Sequence, residues 1–183
     1  SANAQDPAQT QKPLLWKIHS SGNHYLFGTI HIPDPRVTTL PASVQQAIAQ
    51  SDVVVTEIPI NESTMIGAAE GMLLPAPQTL SGLLEPTLIK NINAELHLIN
   101  AWLNLSAFDR MKPWAFAASL PMLQMQLKYA GAPALDVLLA TNAVAAGKRN
   151  DGIETIQEQL NVFDGMPQAQ QIRMLAYTVK EMQ

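Results

Sequence analysis

The side chains best placed by type and spacing to do chemistry in this sequence are His31 and Glu57. His31 closes the run Gly28-Thr29-Ile30-His31, directly behind apolar residues 25–30, which suit a buried strand. Glu57 closes Asp52-Val53-Val54-Val55-Thr56-Glu57-Ile58, whose continuous apolar core reads as a parallel strand covered on both faces. Between them, Leu40-Pro41-Ala42-Ser43-Val44 opens a helix. Glycine lets a chain turn sharply at a strand end, and a right-handed strand–helix–strand crossover would bring both residues to one sheet edge. That carboxyl edge is where ligands gather in open α/β sheets. An imidazole and a carboxylate there make half of a metal site or of an acid–base pair. Each also has a plainer role: His31 bonded to a backbone carbonyl, Glu57 as a solvated strand-end carboxylate.

The elements that must position this pair follow from local signals. Leu14-Leu15-Trp16-Lys17-Ile18 and His24-Tyr25-Leu26-Phe27 flank Ser20-Ser21-Gly22-Asn23, a hairpin pattern that leaves His19 and His24 as solvent-facing strand ends. Ile32-Pro33-Asp34-Pro35 cannot be helical, since each proline pushes its predecessor toward extended geometry, and Asp34 reads as a turn residue before a metal ligand. The next helix starts at Pro41 and buries Val44, Ala47 and Ile48.

From residue 62 to about 130 the pattern is helical. Asn61 or Ser63 caps a helix that Pro75-Ala76-Pro77 ends, Ser81-Gly82-Leu83-Leu84 adds a turn, and Pro86 starts a helix carrying Leu88, Ile89, Ile92, Leu96 and Ile99. Ser106 caps a short turn. A long helix then follows Lys112-Pro113-Trp114, kinked at Pro121 and stopped by Gly131. Met111, Met122, Met125 and Leu127 read as core or cleft packing, and Trp114 as a core anchor or cleft wall. A helix over 134–146 ends at Gly147, Lys148-Arg149-Asn150-Asp151-Gly152 is a polar turn, and a last helix from Pro167 aligns Ile172, Leu175, Val179 and Met182.

The chain has 183 residues, 47% apolar and 14% charged, which suits one globular domain with a sizeable core. A formal charge of -4 gives no basic footprint for nucleic acid, and no apolar run approaches a membrane span. With no cysteine, disulfides, thiolate ligands and cysteine catalysis are excluded. Ala2-Asn3-Ala4 fits the small-residue pattern of signal cleavage and a polar lead-in follows, so residues 1–12 are expected to be the flexible start of an exported, periplasmic or secreted protein.

An ordered series of motifs resembles the TraB/GumN family. It runs through Leu15-Trp16-Lys17-Ile18, Leu26-Phe27-Gly28-Thr29-Ile30-His31, Leu40-Pro41 and Ser51-Asp52-Val53-Val54-Val55-Thr56-Glu57. It continues in Met111-Lys112-Pro113-Trp114, Leu135-Asp136-Val137-Leu138-Leu139, Gly147-Lys148, Gly152-Ile153-Glu154-Thr155-Ile156-Gln157-Glu158-Gln159 and Phe163-Asp164-Gly165-Met166-Pro167. That family includes the Tiki proteases of animals and is similar to the erythromycin esterase and ChaN-like fold. The resemblance implies an α/β domain over 13–183 with a small, mainly parallel sheet and flanking helices. The helical stretch of about 62–130 interrupts that pattern like an inserted cap and is expected to fold over the His31 edge, since clefts commonly lie between a scaffold and an inserted cap.

The resemblance also implies a metal-dependent hydrolase. His31 and Glu57 would be metal ligands, and Glu57 and Glu154 catalytic carboxylates, with manganese, cobalt or zinc as the ion and a peptide or small molecule as substrate. For Glu154 the plain alternative is a charge at a helix start. The family pattern has a second G-x-x-H in a carboxyl-terminal segment, but no glycine here other than Gly28 precedes a histidine by three residues. The chain is therefore expected to be the amino-terminal part of a family domain, or a degenerate member, with an incomplete and weak metal site. The other function class is a non-catalytic module on the same scaffold, binding a haem-like ligand. The apolar face of the last helix is expected to lack a cover, so a second copy or a separate carboxyl-terminal fragment would complete the fold there.

Overall fold

The computed structural model describes residues 12–20 and 22–183. The signal-cleavage pattern at Ala2-Asn3-Ala4, most of the expected flexible start and Ser21 of the hairpin turn lie outside them. The chain begins with β1 (Leu15–Ser20), β2 (Gly22–Phe27), α1 (Pro35–Thr38), α2 (Ala42–Ala49) and β3 (Val53–Thr56). Then come α3 (Glu62–Gly71), α4 (Leu80–Leu83), α5 (Pro86–Ile99), α6 (Pro113–Ser119) and α7 (Leu123–Lys128). It ends with α8 (Leu135–Ala145), β4 (Arg149–Gly152), α9 (Ile156–Asp164) and α10 (Gln168–Met182).

The described residues form two compact units, one from residues up to 60 plus 125–154, the other from 61–124 plus 155–183. The first is α/β. β1 and β2 make an antiparallel hairpin running from Leu15↔Phe27 to Ser20↔Gly22. β3 pairs in parallel with β4, from Val53↔Arg149 to Thr56↔Gly152. The α/β class stands, with the strands in two two-stranded sheets. The expected β2–helix–β3 pairing is not formed: the neighbour of β3 is the segment read from sequence as a polar turn.

Side-chain bonds explain how so polar a strand is held. Asn150 Nδ2 donates to Val54 O at 3.1 Å and Thr56 Oγ1 at 3.0 Å, while its Oδ1 accepts from Ile60 N at 2.7 Å. Asn150 therefore fastens β4 to β3 and to the chain leaving β3. α8 packs on both strands, burying Leu135, Leu139, Ala140 and Ala143. α2 buries Val44 and Ala47 at the expected helical spacing, and Gly147 ends the α8 turn at φ 75. Asp34 takes the turn role: it caps α1 by accepting from Arg36 N at 2.9 Å and pairs with the Arg36 guanidinium at 2.6 Å.

The second unit is helical. Its core gathers Leu80, Ile92, Leu96, Phe116, Leu120, Leu175 and Val179, all essentially shielded from water. Asn61 caps α3 through Thr64 N, and the cap before residues 105–108 is Asn104 rather than Ser106. Pro121, which has no N–H to donate, splits the expected long helix into α6, a 3-10 turn over 120–122 and α7. Trp114 is a core anchor: its ring stacks on Phe163 at 4.8 Å and its Nε1 donates to Asp164 Oδ1 at 2.7 Å, while Lys112 Nζ pairs with Asp164 Oδ2 at 2.6 Å. Leu127 is exposed rather than packed.

Besides residues 61–124, this unit takes in α9 and α10. The apolar face of α10 is already covered, because Leu175 and Val179 are buried against α6 and α5. Ile172 and Met182, the other two residues expected on that face, are part-buried against the same core. No helix among the described residues is long and apolar enough to cross a membrane.

Candidate functional site

His31 stands four residues beyond the end of β2, on an extended segment rather than on the strand itself. The hairpin end is closed by Gly28 N donating to Leu14 O at 2.8 Å. Gly28 does not use a left-handed backbone; its small size is what the turn needs. A Cβ there would lie 3.1 Å from Leu14 Cβ, so glycine permits the close approach that fixes the departure of the chain toward His31. Glu57 follows β3 directly, and the parallel ladder continues past it: Ile153 N donates to Thr56 O at 3.0 Å and Glu154 N to Glu57 O at 2.8 Å.

These two routes bring His31 Nε2 to 3.4 Å from Glu57 Oε1. The other ring nitrogen, Nδ1, lies 3.1 Å from Oδ2 of Asp136 in the first turn of α8. The imidazole is thus held between two carboxylates, one in a wall of the fold and one toward solvent. Side-chain exposure grades across the three, 21% for Asp136, 47% for His31 and 62% for Glu57. The other oxygen of Asp136, Oδ1, is buried with no hydrogen-bond partner. The three side chains line a cleft of about 410 Å³ whose walls include Phe27, Thr29, the whole of β3, Val44 and Leu139.

Partial burial of the ring lowers the His31 pKa, but the hydrogen bond to Asp136, the charge of Asp136 and then the charge of Glu57 outweigh it and hold it above 6.5. The pair predicted from sequence is therefore assembled. Glu154 is joined to Glu57 through its backbone, and its side chain is exposed. His19 and His24 are exposed on the hairpin, as expected of strand ends.

Asp136 is the residue that sequence reasoning missed as a site group. The available signal was its isolation, since it is the single charged residue in α8. A helix-start aspartate has a sufficient explanation in the dipole, and that masked it.

A model of the TraB/PrgY/gumN family matches residues 14–183. The chain belongs to that family. Among curated proteins, this TraB-family chain is similar to the "Metalloprotease TIKI1" of Danio rerio, 26% identical over 197 residues that cover 94% of this chain and 40% of the relative. The human "Metalloprotease TIKI1" is 24% identical, covering 94% of this chain and 39% of that protein. The "Metalloprotease TIKI homolog" of Nematostella vectensis is 23% identical over 90% of the chain and 41% of the relative. The chain therefore spans about two fifths of the length of these curated relatives. No solved structure matches.

A divalent ion implied by such relatives can be tested against the residues present. In kind the donors suit it: a neutral imidazole nitrogen with a carboxylate behind the opposite nitrogen, and a solvent-facing carboxylate. In number they fall short. Among the described residues no group of three or more His, Cys, Asp or Glu is arranged to hold a metal ion. His31 and Glu57 are two donors where a hydrolytic site ordinarily uses three from protein.

Proposed function

We propose that this TraB-family chain carries one side of the active site of an exported, metal-dependent hydrolase acting on peptides. The observation that carries the reading is the approach of His31 Nε2 to Glu57 Oε1 at 3.4 Å on the wall of a cleft. The curated relatives named as metalloproteases support the reaction class, and export rests on the Ala2-Asn3-Ala4 pattern. His31 and Glu57 are the two protein donors. Glu154, tied to Glu57 through its peptide nitrogen, is the carboxylate proposed as base. A divalent ion in such a site supplies Lewis acidity toward water or a carbonyl oxygen. The chain's own part is to present the imidazole and carboxylate toward the cleft, with apolar residues such as Val44 and Leu139 limiting water on the inner side.

The test is to strip the protein of metal and incubate it with a peptide library and manganese, cobalt or zinc. Products are read by mass spectrometry. Cleavage that depends on the added ion and disappears in His31→Ala and Glu57→Ala is expected. Equal cleavage by both variants, or none with any of the three ions, overturns the reading. A Soret band on haem titration, without divalent binding, replaces it with the binding-module class.

A further inference from the structure

We propose that Asp136 is the positioning residue of the site: its Oδ2 accepts from His31 Nδ1, fixing the ring so that Nε2 is the nitrogen turned to Glu57 and the cleft. The inference rests on the reading of His31 and Glu57 as the reactive pair. It assigns a role to a side chain outside that pair.

Three observations carry it. The Nδ1 to Oδ2 separation, 3.1 Å, is shorter than the 3.4 Å from Nε2 to Glu57 Oε1, so the inner carboxylate is the closer partner of the ring. Asp136 is also the more buried of the two carboxylates, so water competes less for its oxygens. Finally, Asp136 stands on α8, which is packed against β3 and β4, whereas His31 lies on a segment without regular structure. The rigid element therefore holds the ring of the irregular one. In a neutral histidine, the hydrogen bond made by one nitrogen decides which nitrogen carries the proton. With Asp136 accepting at Nδ1, the Nε2 lone pair is left for whatever enters the cleft.

The plain alternative is a helix-start charge that serves the α8 dipole. The two accounts separate on one readout. The His31 tautomer is measured by long-range proton–nitrogen NMR on the metal-free chain, on the alkaline side of the ring's titration. Wild type is expected to show the proton on Nδ1. In Asp136→Ala the proton should move to Nε2, where Glu57 remains to accept it. Asp136→Asn keeps an acceptor oxygen while losing the charge, and should retain the Nδ1 proton.

A purely dipolar role predicts the reverse sensitivity: helix stability lost in both variants, the tautomer unchanged in either. An Nε2 proton in wild type overturns the proposal outright and needs no variant to fold. So does an unmoved tautomer in Asp136→Ala. Manganese affinity, measured by calorimetry on the same proteins, is expected to fall about 10–100-fold in Asp136→Ala, the usual effect of removing an outer partner of a ligating histidine. If wild type binds no manganese while the tautomer behaves as stated, the hydrolase reading fails and the positioning role stands.

Discussion

Gly152 is the position where a single methyl group should most clearly disturb Glu57 without touching it. A Cβ on Gly152 would lie 2.3 Å from Pro59 Cδ, 2.6 Å from Pro59 N and 2.9 Å from Glu154 O. None of these atoms sits at the end of a side chain that can turn aside; they are backbone or a ring fused to backbone. Relief therefore requires the 57–59 segment to move away from the end of β4. Overpacking of this kind costs about 1–3 kcal/mol. For about 2 kcal/mol in a chain of this size, the melting temperature should fall by about 4–8 °C.

The same displacement strains the bond from Glu154 N to Glu57 O and carries Glu57 away from His31. Gly152→Ala should accordingly lower the melting temperature in calorimetry and shift the His31 ring signals in NMR. Gly71→Ala is the control. Its clash, 2.3 Å, is with Cδ1 of Leu160 in the helical unit's core, so Gly71→Ala should also lower the melting temperature while leaving the His31 signals in place. Gly152→Ala melting like wild type, with His31 unshifted, would show that Glu57 is not positioned by this contact.

Other outcomes follow from the same contacts. The His31 pKa in the metal-free chain should lie above 6.5 by NMR titration and fall toward it in Asp136→Ala, because the Asp136 hydrogen bond is the largest cause raising it. A folded-state pKa raised in this way stabilises the fold fully below 6.5, and the contribution is lost as pH rises through the folded value; melting curves across that window check the sign. The Arg36 hydrogen bonds hold Asp34 down to about 2 from the ordinary 3.8, so its contribution should be present above 3.8 and vanish as pH falls through about 2. In the helical unit, Phe116→Ala should cost about 3–5 kcal/mol in denaturant unfolding, since the ring is fully buried among Leu96, Leu120 and Leu175. Trp114→Phe removes the donor to Asp164 along with part of a buried ring, and should cost at least the roughly 1.5–3 kcal/mol of a hydrogen bond to a charged group.

What sequence alone could reach divides along local and non-local physics. The helices opening at Pro86 and Pro113 and the stop at Gly147 were legible because proline and glycine act within a turn of their own position. The pairing of β3 with β4 was not, because Arg149-Asn150-Asp151-Gly152 carries neither apolar alternation nor β-branched residues. Its place in the ladder depends on Asn150 reaching Val54 and Ile60, about ninety residues away in the chain. His31 and Glu57 were found together although the strand adjacency used to argue it does not form. The segment after β2 carries His31 to the end of β3 without strand pairing. Asp136 escaped because its partner is a ring more than a hundred residues earlier.

The most direct measurement is to titrate manganese into the metal-free chain and follow paramagnetic broadening of the ring signals of its four histidines. The His31–Glu57 reading predicts broadening that sets in first and most strongly at His31, ahead of His19 and His24 on the hairpin, and its loss in Glu57→Ala. Broadening spread equally over the four rings, or persisting at His31 when Glu57 is gone, would contradict it.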